Sequence, residues 1–400
     1  MKSLLMDMKL QQQIVVRVFV LVMGLSFVFN GLACSKAQAY ADFIGYGYGS
    51  CLTCHYNGQG NGPLTDYGRA LWSSEIASRV FYDKKLTDEQ LGERSGFLGT
   101  KEIPWWIRPS IKYRGLWYRT NPGSSAASTK YINMQLDANI ALHLDQDQKY
   151  VFVFNEGYLP ASSSGAEKAT TISREHYFRW QVNQDFFTYV GLMDKVYGIR
   201  LIDHTAVSRA KTGLAQNDQS HGVILQYLTK PYEYTLNVFA GNLNQDADLR
   251  QKGVSVMIEK DRHQYHRIGG AVLASQNDYL QLIRAEVHSK LGFGTGNSLL
   301  AELGVIQNKP KSSDAVTGNY ILLENLARIV RGYHFLSQLE YYNATMSSKS
   351  PDQLKWSFGF LIFPAPRFEV RTQLVNGRTM SDGGVSSDQW SMQGQLHVSL

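Results

Sequence analysis

Cysteine is scarce. Cys34, Cys51 and Cys54 are the only three in 400 residues, too few for a disulfide scaffold. Proline is also rare, at 10, and charged residues make up only 18%, against about 25% in a typical soluble domain. Long apolar runs are absent beyond residues 14–29. That excludes a polytopic helical membrane protein, which needs several runs of about 20 residues. Strong charge of one sign is missing as well. The formal net charge is +6, and Lys2, Lys9, Arg17 and Lys36 against Asp7 place half of it in residues 1–41. No basic patch interleaved with aromatics exists, so nucleic acid is not an expected partner. Aromatics at 12% are too many for a disordered protein. What is abundant is glycine (35), tyrosine (23) and phenylalanine (18), with a mean hydropathy of −0.26. This composition fits an all-β protein, of which the membrane barrel is one special case.

The apolar run from Ile14 to Phe29 follows Lys9 and contains Arg17 near its start. Small-residue sequences, Ala37-Gln38-Ala39 and Ala39-Tyr40-Ala41, follow it. This is the order of a secretory signal peptide. Residues 1–41 are expected to be a leader, cleaved after Ala39 or Ala41. An uncleaved anchor and a lipidated Cys34, behind the lipobox-like Gly31-Leu32-Ala33, are the alternatives.

With the leader gone, both remaining cysteines lie in Cys51-Leu52-Thr53-Cys54-His55. In an exported protein the pattern C-x-x-C-H is the signature of c-type haem attachment. Two thiols serve the two vinyl groups, and the adjacent imidazole serves the iron as proximal ligand. Cys51 and Cys54 are thus the candidate haem-binding residues, and His55 the candidate iron ligand. A Cys51–Cys54 disulfide or a chance match is the bland reading. A zinc site lacks the further ligands it needs. No catalytic constellation is visible, and no enzyme activity is expected. Glycines at 58, 60 and 62 follow the motif and permit close backbone approach. Thr65 or Asp66 is placed to cap a helix running to about Val80. Thr87-Asp88-Glu89-Gln90 reads as a capping box. Arg69 suits either a haem propionate or solvent. Residues 42–106 contain no Met, and His55 is their only His. They therefore hold no distal His or Met ligand of their own. They read as a small helical haem-binding or plug segment.

From Ile107 the period becomes two. Ile132, Met134, Leu136, Ala138, Ile140, Leu142 and Leu144 alternate with polar partners. So do Leu354–Ile362 and Trp390–Leu400. Such alternation over 10–14 residues exceeds an ordinary soluble strand and suits a tilted membrane strand. About sixteen segments of this kind run from 107–119 through 131–144 and 173–183 to 388–400. Short links alternate with long polar ones. Residues 107–400 are therefore expected to be a transmembrane antiparallel β-barrel, all-β in class, in contact with outer-membrane lipid. Both termini would lie on the periplasmic side. The faces of Asn133, Gln135 and Asp137, of Arg284, Glu286 and His288, and of Glu369, Arg371 and Gln373 are expected to line the lumen. The mixed-charge loop 194–220 either folds inward to constrict the pore or stays on the surface. Strand direction brings His143, His288 and His397 into the lumen at the end where the haem segment enters. Each is a candidate distal ligand, with Met193 a weaker one.

The stretch from Ser50 to Arg69, S-C-L-T-C-H-Y-N-G-Q-G-N-G-P-L-T-D-Y-G-R, resembles a family of proteobacterial outer-membrane proteins, the cytochrome c-domain proteins. In these a C-x-x-C-H, a glycine cluster and an L-T-x-Y-G-R element precede a porin-like barrel. Tyr197–Thr205 looks like their loop as well. The resemblance implies haem c, with its iron, and the outer membrane, but no substrate. Electron transfer or redox sensing, with a periplasmic electron-transfer protein as partner, is the first functional expectation. A porin or solute channel with the motif in a structural plug is the second. The oligomeric state is left open.

Overall fold

The computed structural model describes residues 41–80, 86–100, 104–121, 126–159, 170–346, 352–381 and 384–400. The expected leader up to Tyr40, with Cys34 and the Ala39 cleavage position, lies outside them.

Sixteen strands follow one another: β1 (Ile107–Thr120), β2 (Ser128–His143), β3 (Tyr150–Leu159), β4 in two pieces (Thr170–Ile172 and His176–Gln181), β5 (Phe186–Met193), β6 (Ser220–Thr229), β7 (Tyr232–Phe239) and β8 (Lys252–His263). They continue as β9 (His266–Gln276), β10 (Leu280–Gly292), β11 (Ser298–Pro310), β12 (Val316–Val330), β13 (Tyr333–Asn343), β14 (Asp352–Ala365), β15 (Phe368–Ser381) and β16 (Gly384–Ser399). Each is antiparallel to its neighbours in sequence. β1 pairs with β2 on one side and with β16 on the other, with Tyr113 opposite Val398, so the sheet closes. Lipid cannot hydrogen-bond a strand edge, and closure removes the edge.

The burial pattern is inside out. On β10, Ile283 and Val287 are 48% and 61% exposed, while Arg284, Glu286 and His288 are buried. Glu369, Arg371 and Asp137 are buried in the same way. The expected lumen faces are therefore observed except at Asn133: the register shifts between Arg114 and Gly115, the pairing skips Met134, and Asn133 is turned to the exposed side, where its Oδ1 accepts from the Tyr113 hydroxyl at 2.9 Å. Their charges are paired. Arg267 is bonded to Glu233 and lies 3.3 Å from Glu259, and Lys290 Nζ lies 2.6 Å from Glu259.

Three boundaries differ from the alternation pattern. The segment 173–183 is broken at Ser173–Glu175. The Arg174 amide donates to Asn155 Oδ1 (3.0 Å) and its guanidinium pairs with Asp137, which interrupts the ladder to β3. β2 starts at Ser128 and β16 at Gly384, ahead of their apolar residues, because Ser128 pairs with Thr120 and Gly384 with Ser381. Polar residues extend the hairpins beyond the apolar band.

The segment before β1 sits inside the barrel at its short-turn end. A 3-10 turn, Ala41–Tyr46, places Phe43 against Phe363 and the Tyr46 hydroxyl 2.9 Å from His334 Nε2. Ser298 Oγ donates to Asp42 Oδ1 at 3.1 Å. Helix α1 (Asp66–Leu71) is capped by Thr65, whose side chain accepts from Gly68 N. It passes into a wider π turn over Trp72–Ile76 and stops well before Val80, because Ser78 N donates to Phe363 O of the barrel (2.8 Å). Helix α2 (Asp88–Glu93) has the expected capping box. Arg331 Nε donates to Ala77 O at 3.0 Å.

Removing Arg267 leaves the buried Glu233 without its cation and Glu259 with Lys290 and His288 alone. Arg267→Ala should therefore lower unfolding stability by about 3–5 kcal/mol. The guanidinium unfolding midpoint measures this, and an unchanged midpoint would refute the pairing as drawn.

Candidate functional site

The motif forms a tight turn. Residues Cys51–Thr53 are 3-10, and the amides of Cys54 and His55 both donate to Cys51 O, at 3.1 and 3.0 Å. His55 then pairs with Leu64 in an antiparallel bridge. The backbone between them reverses through three left-handed residues, Gly60, Asn61 and Gly62, with φ of 76°, 70° and 62°. At 60 it is this left-handed backbone that favours glycine, since a Cβ there would meet Cys51 Sγ only at an ordinary contact distance of 3.5 Å. Thr65 N and Oγ1 both donate to Cys54 O, at 2.7 and 3.2 Å. A Cβ on Gly68 would lie 2.5 Å from that same oxygen, so α1 rests directly on the motif.

Loop 194–219 folds inward, which decides between the two expectations for it. It carries α3 (Val207–Ala210). Ile199 N donates to Glu302 Oε2 (2.7 Å) and Val207 N to Glu340 Oε2 (2.5 Å) on the far wall. Arg200 pairs with Asp194 within the loop. Ile199 and Leu201 pack with Ile44 of the plug and with Leu300 and Leu322.

Between plug and loop lies a cavity, part of it open to the rest of the lumen. Cys51 and His55 both line it, whereas Cys54, the other candidate haem-binding thiol, is buried behind them and does not. Phe43, Leu64, Trp72, Leu201 and Phe363 supply apolar wall, and Lys112, Arg114, Arg174, Arg200 and Arg209 supply cations against Asp137 and Glu175. Arg114 Nε and Arg200 Nη1 are buried with no hydrogen-bond acceptor among the described residues. This wall suits a ligand with an apolar body and anionic groups.

Both thiols are free, Cys51 half-buried and Cys54 buried. Burial pushes both above the ordinary thiol range, and for Cys54 the neighbouring Cys51 adds to the effect. Among the described residues no group of three or more His, Cys, Asp and Glu is arranged to hold a bare metal ion. Arg69 does not reach the cavity; it pairs with Asp66, which Arg108 also holds at 2.6 Å. Of the other singled-out residues, His397 lines the cavity, whereas His143, His288 and Met193 do not. His143 Nδ1 donates to Trp105 O (2.8 Å), and its Nε2 accepts from the Tyr56 hydroxyl (2.8 Å). Met193 is buried in an apolar cluster around Tyr56 and Tyr189. His204 and the cationic cluster were not assigned a site from the sequence. The signal lay in the arginines of a loop whose direction the sequence left open.

No protein-family model and no curated protein matches the sequence. Solved structures do match. OmpT, an outer membrane protein of Vibrio cholerae, aligns with TM-score 0.59 at 8% identity over 75% of this protein and 99% of its own length. The outer membrane channel DcaP of Acinetobacter baumannii aligns with TM-score 0.55 at 8% identity over 74% and 97%. An anion-selective porin from Comamonas acidovorans aligns with TM-score 0.51 at 10% identity over 74% and 99%. These likenesses show the fold, a porin-like outer-membrane barrel.

A thiol held above its ordinary pKa is short of thiolate at neutral pH. In protein made without haem attachment, iodoacetamide should modify Cys51 and Cys54 more slowly than a free thiol at pH 8. The rate should still be climbing about tenfold per pH unit above pH 9, with Cys51 the faster. A plateau below pH 9 in the rate–pH profile would contradict the buried geometry.

Proposed function

We propose that the protein is an outer-membrane barrel of the porin type whose own N-terminal segment is seated in the lumen as a plug. The observation that carries this reading is the double filling of a polar, ion-paired lumen, by residues 41–80 from the short-turn end and by loop 194–219 from the wall. Support for the location comes from the closed sheet with its apolar outer face and from the channel structures that share its fold. The short-turn end, with both termini, then faces the periplasm. The cations around the cavity favour an anionic solute.

A second reading adds haem c to the plug. It is favoured by the opening of Cys51 and His55 onto one cavity whose wall is part apolar and part cationic. Cys51 would hold the group covalently from the cavity wall, His55 would ligate its iron and Arg114 and Arg200 would meet its carboxylates, while Cys54, buried behind the wall, would have to turn toward the cavity to form the second link. Haem c, when bound, supplies a one-electron couple. The plug positions the motif, and the left-handed turn at residues 60–62 folds the backbone back beside it. Electron transfer or redox sensing at the periplasmic face, with a periplasmic electron-transfer protein, follows from this reading. No residue is assigned a catalytic role.

Two outcomes are expected. In planar bilayers the full-length protein should show small or no conductance steps, and a variant lacking residues 42–100 should show large ones; equal steps would sink the plug. Val287→Arg, on the exposed face, should lower folding stability in lipid vesicles by about 2–4 kcal/mol. A change near zero would argue against lipid at that face.

A further inference from the structure

Four wall histidines lie in the lumen near the short-turn end, and their surroundings separate them. His334 meets the Tyr46 hydroxyl of the plug through Nε2 at 2.9 Å and does not line the cavity. His143 uses both ring nitrogens, on Trp105 O and Tyr56. His288 also uses both. Nδ1 lies 3.0 Å from Glu286 Oε2, and Nε2 lies 3.0 Å from Glu259 Oε1. Neither ring has a lone pair to offer, and neither lines the cavity.

His397 on β16 is different. It is 8% exposed. Its Nδ1 lies 3.1 Å from Glu369 Oε2. A carboxylate accepts, so Nδ1 carries the proton and Nε2 holds the lone pair. That Nε2 is buried and has no hydrogen-bond partner among the described residues. The ring lines the same cavity as Cys51 and His55. Trp72 of the plug packs against it, ring centroids 6.3 Å apart, and Leu64, which bridges to His55, lines the cavity beside them. An imidazole whose far nitrogen is held by a carboxylate is oriented and made more basic for a metal at the near one. His204 of the inward loop lines the cavity too, but it is less buried.

We infer that His397, through Nε2, is a further protein ligand of the iron centre that Cys51, Cys54 and His55 would carry, with Glu369 as its positioning residue. The inference rests on the haem c reading above. It has a structural consequence. One ligand comes from the plug and the other from the last strand, so ligation ties the plug to the barrel wall.

The test uses the full-length protein purified from a host that attaches haem covalently. A haem-stained gel is read first. Ferric absorption and electron paramagnetic resonance spectra follow. The wild-type protein should be low-spin and six-coordinate. His397→Ala should be high-spin, and added imidazole should restore the low-spin spectrum. His397→Met should stay six-coordinate with a raised reduction potential, since a Met/His pair raises it. His143→Ala and His288→Ala should leave the spectra unchanged. Heat-modifiable gel mobility confirms that each variant is folded, and the Met variant keeps the test open if the alanine variant is not. No covalent haem in the wild type removes the haem reading and this inference together. Covalent haem that is high-spin in the wild type, or still low-spin in His397→Ala, overturns only the inference. So does loss of the low-spin state in His204→Ala while His397→Ala retains it.

Discussion

Everything in this structure follows from one constraint: a backbone amide or carbonyl in hydrocarbon has no water to bond to. The sheet must close, and β1 meets β16 for that reason. Closure at sixteen strands encloses a wide lumen. Alternate residues must then face it, and on β10 these are Arg284, Glu286 and His288. Charges brought into such a space are stable only when paired. Arg267, Glu233, Glu259 and Lys290 therefore form one network rather than separate surface ions.

The lumen left by closure is filled by two insertions of different character. Loop 194–219 is anchored through backbone amides that carboxylates of the wall receive, Ile199 on Glu302 and Val207 on Glu340. The plug is anchored mainly by side-chain packing and by wall arginines on its carbonyls, as with Arg331 on Ala77. Glycine matters where the two surfaces meet most closely. A Cβ on Gly45 would stand 2.4 Å from Asn297 O. That contact fixes how deeply the plug sits, and hence that the motif turn reaches the cavity under the loop.

The strands were legible in the sequence because period-two burial is local: Leu354 to Ile362 states its own face. The break in β4 was not legible, since it depends on Arg174 finding Asp137 two strands away. The helix from Thr65 overran for a like reason. Its end is set by Ser78 meeting Phe363, a partner so distant in sequence that no local pattern records it. The inward loop was ambiguous because mixed charges suit both water and a carboxylate-lined lumen. Parity showed that His143, His288 and His397 face inward, but it could not show which of them is already bonded at both nitrogens. Arg69 suited a cavity cation by its charge alone, but Asp66, its neighbour on the same helix, captures it.

The channel and haem readings draw on the same wall, and they make different demands of it. A channel needs cations that a passing anion meets weakly and leaves. A resident cofactor needs cations desolvated and waiting. Arg174 is already neutralised by Asp137 and Arg200 in part by Asp194. Arg114 Nε and Arg200 Nη1 nevertheless remain buried without acceptors among the described residues, and the plug that buries them is pinned to the wall at many points. Unmet donors beside that cavity favour an anionic group at the wall. Cys51 and His55 of the motif line the same cavity. A plugged porin-type barrel therefore describes the architecture, and the proposed haem site would add one demand to it: Cys51, His55 and His397 line one cavity between plug and wall, so a group held there would tie the two together.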